Sequence, residues 1–191
     1  MASFSEWLGV RMKDWNMLVT VLRGPGREHH VLRQLNRLGE FHGTEFRDVC
    51  IGRVEDAAAF LETLLRAVEA GEPWTRDLAR AIPVARTFRF TPETLVAELQ
   101  QAVAPLIERM DSGSFHVRME RRGLEGEVVS PEVERAVADH LLALAQAQGK
   151  ALRTAFDDPD YIVVAETLGH ECGVALITRE RRQRYPFVQA R

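Results

Sequence analysis

Apolar residues in this chain recur at two spacings, and the switches between them mark out the elements. Residues 15–22 read Trp-Asn-Met-Leu-Val-Thr-Val-Leu. They are β-branched and largely apolar on both faces, the pattern of a central strand. Arg23-Gly24-Pro25-Gly26 ends that run with a turn signal. Val31, Leu32, Leu35 and Leu38 then fall on one helical stripe, which Gly39 stops. Phe41-His42 and residues 46–53 read as the two arms of a hairpin bending near Gly43. Ala57, Phe60, Leu61, Leu64, Leu65 and Val68 share a face of a second helix closed by Gly71. Residues 81–90 are the fourth strand candidate, with Pro83 pointing to an edge or a break. This βαββαβ order is the split βαβ arrangement of a ferredoxin-like sheet. Residues 1–13 read as a loose lead-in or a short amphipathic helix.

The second half has its own pattern. Thr91-Pro92 opens a helix, with Leu95, Leu99, Val103, Leu106, Ile107 and Met110 as its stripe. Pro105, inside the stripe, predicts a kink or a split. Phe115, Val117 and Met119 alternate with His116, Arg118 and Glu120, a half-buried strand. Residues 123–129 form an acidic surface loop. Ser130-Pro131 repeats the cap-and-proline device, and Val133, Val137, His140, Leu141 and Leu144 line a long helix ending at Gly149. Residues 151–153 suit a short strand, 161–167 and 173–178 two clear strands, with a turn at 169–171 between them. The tail from Arg179 is Arg-rich and carries Tyr185-Pro186-Phe187. The expectation is an α/β (α+β) protein of two domains, 14–90 and 91–191.

Composition narrows the function. The 191 residues are 46% hydrophobic and 28% charged with net charge -3, the balance of a globular protein rather than a basic nucleic-acid coat. Any nucleic-acid site is therefore a local patch. Of the 25 basic residues, 23 are Arg; only Lys13 and Lys150 are Lys. Arg suits forked contacts to phosphate and carboxylate, although a GC-rich genome also raises Arg over Lys. Cys50 and Cys172 stand outside any CxxC or Cys/His cluster, as expected of two inert thiols in a reducing compartment. No apolar run reaches the roughly 18 residues of a membrane span, and residues 1–13 lack the apolar core of a secretory signal. A cytoplasmic protein without membrane contact is expected.

Most catalytic signatures are missing. Gly24-Pro25-Gly26 matches neither dinucleotide nor triphosphate spacing, and HExxH and GxSxG do not occur. His170-Glu171-Cys172 offers two ligand types on alternate residues, too few for zinc and better read as a turn beside a core cysteine. Asp158 and Asp160 form either a carboxylate pair or a capped turn. No cofactor or metal is expected. What remains is arginine. Arg118, Arg121 and Arg122 lie along and after one strand; Arg179, Arg181, Arg182 and Arg184 follow another. Either they bind phosphates or they form a solvated rim paired with Glu120, Glu125 and Glu127. Whether the two clusters converge depends on strand direction, which periodicity leaves open.

Residues 115–118 (Phe-His-Val-Arg) through Arg122-Gly123, then Ser130-Pro131-Glu132-Val133, Pro159-Asp160-Tyr161-Ile162-Val163-Val164 and Cys172-Gly173-Val174-Ala175-Leu176-Ile177-Thr178-Arg179 together resemble a THUMP domain. Residues 15–24, 49–54 and 80–84 resemble the ferredoxin-like domain that precedes THUMP. The whole is similar to the stand-alone THUMP adaptor subunit of tRNA cytidine acetylation. The resemblance implies RNA binding, mainly of tRNA through its acceptor stem and 3′ end, with Arg118, Arg121, Arg122, Arg179, Arg182 and Arg184 as contacts. It also implies a tRNA-modifying enzyme as partner and a non-enzymatic role, since no methyltransferase, sulfurtransferase, deaminase or acetyltransferase domain follows. DNA is not an expected partner. The competing expectation is a protein-interaction module that keeps the fold without binding RNA.

Overall fold

The structure is a computed structural model and describes residues 14–190; the lead-in expected over residues 1–13 lies outside them. The chain divides into two compact units between Pro83 and Val84.

The first unit runs β1 (Met17–Val21), α1 (Arg27–Leu35), β2 (Glu40–Gly43), β3 (Val49–Arg53), α2 (Ala57–Glu69), a 3-10 turn (Pro73–Asp77) and β4 (Leu78–Pro83). Its sheet has the order β2-β3-β1-β4, with every adjacent pair antiparallel. Met17, Leu18 and Val19 of β1 are all fully buried, which is why both faces of that run are apolar. Asp56 caps α2, its carboxylate accepting from the backbone N–H groups of Ala58 and Ala59 at 2.8 and 3.1 Å. Helix α2 turns Phe60, Leu61 and Leu64 inward, and Phe60 stacks on Phe41 with ring centroids 5.4 Å apart. Gly52 lies under that stack, where a Cβ would stand 2.2 Å from the Phe41 ring.

The second unit begins with a strand that the sequence pattern merges into the first. Residues 81–90, read as one strand, are two: β4 ends at Pro83, and β5 (Arg86–Arg89) pairs with a strand of the other sheet. The division therefore falls at Pro83–Val84 and not near Phe90. The apolar run Ala81-Ile82-Pro83-Val84-Ala85 continues across the break, so periodicity alone hides it.

After β5 come α3 (Leu95–Val103), a 3-10 helix (Ala104–Arg109), β6 (Gly113–Glu120), α4 (Ser130–Ala147), β7 (Leu152–Thr154), β8 (Tyr161–Leu168), β9 (Glu171–Thr178) and α5 (Arg179–Arg184). A turn closed by the Thr94 and Leu95 N–H groups on the Thr91 carbonyl, both at 3.0 Å, precedes α3. Pro105 falls just inside the 3-10 helix, where the stripe splits as its ring geometry requires. Ser130 is not a cap: it is the first residue of α4, Val129 holds the cap position and no side chain serves it. The Arg-rich tail begins with α5, capped by the Thr178 hydroxyl accepting from the Arg181 N–H at 3.2 Å.

The sheet order is β5-β9-β8-β6-β7. β6 runs parallel to both β7 and β8, while β9 is antiparallel to β8 and to β5. Helix α4 makes the crossover that parallel pairing of β6 and β7 demands. Phe115, Val117 and Met119 of β6 join Val163, Ala165, Cys172, Val174 and Leu176 in one core with Leu99, Val103, Val137 and Leu141 from the helices. His116, Arg118 and Glu120 stand on the other face of β6, half-buried.

Candidate nucleic-acid interface

Strand direction decides where the arginines go. Because β6 and β8 are parallel, Arg121 and Arg122 leave β6 at the C-terminal end of both strands, beside Glu166 and Thr167. Because β9 is antiparallel to β8, Thr178 lies opposite Tyr161, and Arg179 emerges at the N-terminal end of β8. The six residues of β8 between those ends put the two clusters about 20 Å apart along the sheet. They do not converge.

Most of these guanidinium groups are held by the protein's own acceptors. Arg122 Nη1 donates to Glu166 Oε2 at 2.6 Å; the Glu166 side chain is fully buried and that of Arg122 is 18% exposed. The Arg122 N–H donates to Thr167 Oγ1 at 3.0 Å, and its carbonyl accepts from the Gly169 N–H at 2.9 Å. Arg122 is thus a structural lock on the β8–β9 turn. Arg121 Nη1 donates to the Gly123 carbonyl at 2.6 Å and lies 3.4 Å from Glu125. Arg118 Nε lies 3.9 Å from Glu120, with 42% of its side chain exposed.

At the other end the acidic turn 158–160 is the partner. Arg179 Nη1 donates to Asp160 Oδ1 at 2.6 Å and its Nε lies 3.1 Å from Asp158 Oδ2. Arg182 Nη1 donates to Asp158 Oδ1 at 3.1 Å, and its Nη2 donates to the Pro159 carbonyl. Asp160 also accepts from the hydroxyl and N–H of Ser114 at 2.7 and 2.8 Å. Those Ser114 hydrogen bonds first, and then Arg179 and Arg153, hold the Asp160 carboxyl below its ordinary range. Asp158 and Asp160 therefore tie α5 to β6 and β8. Arg184 is exposed, its Nε donating to Tyr185 Oη at 3.3 Å and its guanidinium lying 5.6 Å from the Tyr185 ring centroid.

Phe115, Tyr185 and Phe187 are buried. The exposed ring is Phe156, 83% accessible in the loop after β7. His116 meets it edge to face with centroids 5.0 Å apart. Burial, with Arg118 adding to it against Glu134, pushes the His116 imidazole below its ordinary value. The sequence signal for Phe156 is a lone aromatic followed by Asp157-Asp158-Pro159, outside any apolar period.

Other candidates are inert. Burial first, then Glu28 and Asp48, pushes the Cys50 thiol up to about 12, and burial raises Cys172 further. Neither is a thiolate nucleophile near neutral pH. Cys172 is sealed in the core, whereas His170 is exposed and packs on Phe90 at 6.2 Å. Among the described residues no group of three His, Cys, Asp or Glu side chains is placed to hold a metal, and no helix is long and apolar enough to cross a membrane. An open cleft of about 750 Å³ lies around Arg23-Gly24-Pro25-Gly26 and Arg47, with Glu28 and Asp48 in its wall.

No curated protein matches the chain in sequence. Solved structures do resemble it. PH1313 from Pyrococcus horikoshii Ot3 superposes with a TM-score of 0.59 at 11% identity, covering 85% of this chain and 54% of that one. TrmN from Thermus thermophilus gives 0.55 at 23% identity, covering 84% and 45%. A 4-thiouridine synthetase solved as an RNA complex with bound ATP gives 0.57 at 12% identity, covering 86% and 41%. The chain thus spans roughly half or less of the length of these proteins, and at such identities the likeness is one of fold. The sequence match is narrower: the THUMP domain family model covers residues 91–176, which include Arg118, Arg121, Arg122, His116 and Phe156 and stop before Arg179. Residues 91–176, from the turn ahead of α3 to the body of β9, thus match the THUMP domain family in sequence.

Proposed function

We propose that this chain is a non-catalytic RNA-binding adaptor that presents tRNA, through its acceptor stem and 3′ end, to a modification enzyme. The carrying observation is the THUMP family match over 91–176. The fold likeness to a 4-thiouridine synthetase solved with RNA supports the same reading. The β2-β3-β1-β4 antiparallel order of the first unit supports its reading as a ferredoxin-like domain preceding THUMP. Phosphate contacts supply affinity, and the shape and unpaired end of the tRNA supply selectivity. Of these arginines, Arg184 is exposed and Arg118 keeps 42% of its side chain in solvent, so these two are the best placed to meet phosphate. A cytoplasmic setting goes with this role.

The internal pairing of those arginines, together with a net charge of -3, favours a second reading: a protein-interaction module that keeps the fold without RNA. A gel-shift titration with total tRNA at several salt concentrations separates the two. The adaptor binds tRNA with an affinity that falls steeply as salt rises, and an Arg118→Ala, Arg184→Ala variant binds more weakly with a shallower salt slope. Absence of binding at low salt refutes the adaptor reading and leaves the interaction module.

A further inference from the structure

The described surface carries three large apolar side chains in the open: Leu22 at 40%, Val129 at 50% and Phe156 at 83% exposure. Phe156 differs from the other two in its surroundings. A protein-docking patch is a contiguous apolar area of a few hundred Å². Here a single ring stands beside polar and charged groups, followed by Asp157 and Asp158, and among the described residues its aromatic neighbour is the half-buried His116. The edge-to-face contact fixes the Phe156 ring from one side and leaves the rest of it in solvent.

Two arginines flank this ring, each with an acid nearby: Arg118 Nε lies 3.9 Å from Glu120, and Arg153 acts on the Asp160 carboxylate. Arg118 follows His116 two residues along β6, on the same side of the strand, with 42% of its side chain exposed. Exposed Arg153 of β7 is the register partner of Ser114, so it shares that side at the other flank of His116. The adjoining Asp158 carboxylate is bracketed by Arg179 and Arg182, which offsets its charge. His116 is shifted toward its neutral form by burial, so it offers a ring rather than a second cation. An exposed aromatic face flanked by guanidinium groups at a sheet margin is the chemistry that holds an unpaired nucleotide: the base stacks and the phosphates pair.

We propose that Phe156, braced by His116, is the stacking platform for one unpaired RNA base, with Arg118 and Arg153 holding the phosphates on either side of it. This rests on the RNA-binding reading and specifies the part of the RNA that this face takes: a single-stranded segment, not a duplex.

The test uses the full chain, a short single-stranded oligoribonucleotide, and the same strand annealed to its complement. Phe156→Ala weakens single-strand binding about fivefold to 150-fold, the range of one base–aromatic stack. Duplex binding and the thermal unfolding temperature stay at wild-type values, because the ring is solvent-exposed. Phe156→Trp restores single-strand binding, and its added fluorescence is quenched by the single strand and not by the duplex. If the wild-type chain binds duplex but Phe156→Ala leaves single-strand affinity unchanged, the platform is refuted while RNA binding stands. If the wild-type chain binds neither probe, both proposals fall together. If Phe156→Ala instead dissolves a protein complex and leaves RNA binding intact, the ring is a protein contact and the inference is overturned.

Discussion

Arg122 offers the sharpest test of how the second unit is held together. Its guanidinium lies 2.6 Å from the carboxylate of Glu166, which has no solvent exposure in the middle of the sheet. Arg122→Ala removes the cation and leaves that charge in a low-dielectric setting. Breaking a buried pair from one side costs about 3–5 kcal/mol. Solvent screening reduces this little, since the Arg122 side chain is only 18% exposed. With a urea dependence of about 2 kcal/mol/M, the unfolding midpoint should fall by roughly 1.5–2.5 M. Circular dichroism follows the transition. Hydrogen exchange on peptides from β8 and β9 assigns it to this unit, because the described tryptophans, Trp15 and Trp74, both lie in the first. The companion variant Arg122→Met, Glu166→Leu removes both charges and should recover most of the loss, because an apolar pair of similar volume carries no desolvation penalty. An unchanged midpoint with unchanged β8–β9 protection in Arg122→Ala refutes the account. The outcome also bears on RNA work: weaker binding by a destabilised Arg122 variant does not by itself report a lost phosphate contact.

The remaining predictions concern the acidic turn and the first unit. Asp160 has its carboxyl depressed by Ser114 and then Arg179, so its contribution is present above the unfolded carboxyl value and is lost as pH falls through the lower folded one. Melting temperature followed from neutral to acid pH should therefore drop less for Asp160→Asn than for wild type in that acid window; identical slopes sink the assignment. Gly52→Ala places a methyl 2.2 Å from the Phe41 ring, which is already stacked on Phe60 at 5.4 Å. Overpacking of this kind costs about 1–3 kcal/mol, and a variant with wild-type urea stability shows that the stack yields freely.

Elements with strong periods were legible from sequence, and those without were not. The runs that became β1, β6, β8 and β9 announce themselves because each is buried on one or both faces. Helix α5 does not, because none of its six residues is buried and it has no stripe to read. The break between β4 and β5 was masked for the opposite reason: Val84 is buried like the residues before it, so the apolar run passes straight through a change of sheet. Ser130 misled because a Ser-Pro pair suits a cap and also suits the first helical turn, and the fold uses the second.

The arginine clusters show a deeper limit. A guanidinium in a sequence advertises a need for an acceptor without naming it, and in this fold the acceptors for Arg122, Arg179 and Arg182 are the protein's own carboxylates. Yet the sequence does hold the converse signal. Glu166 interrupts the otherwise apolar and hydroxyl run of β8, and a carboxylate placed inside a buried strand needs a cation within reach. Parallel pairing sets Glu120 opposite Glu166, so the first arginines past the end of β6 are the ones that can turn back to it. Reading buried acids first, and assigning each its nearest cation, gives Arg122 a partner inside the fold. The same economy singles out Phe156: once every apolar side chain with a period is assigned to the core, the aromatic left in a polar loop is the one that packing does not explain.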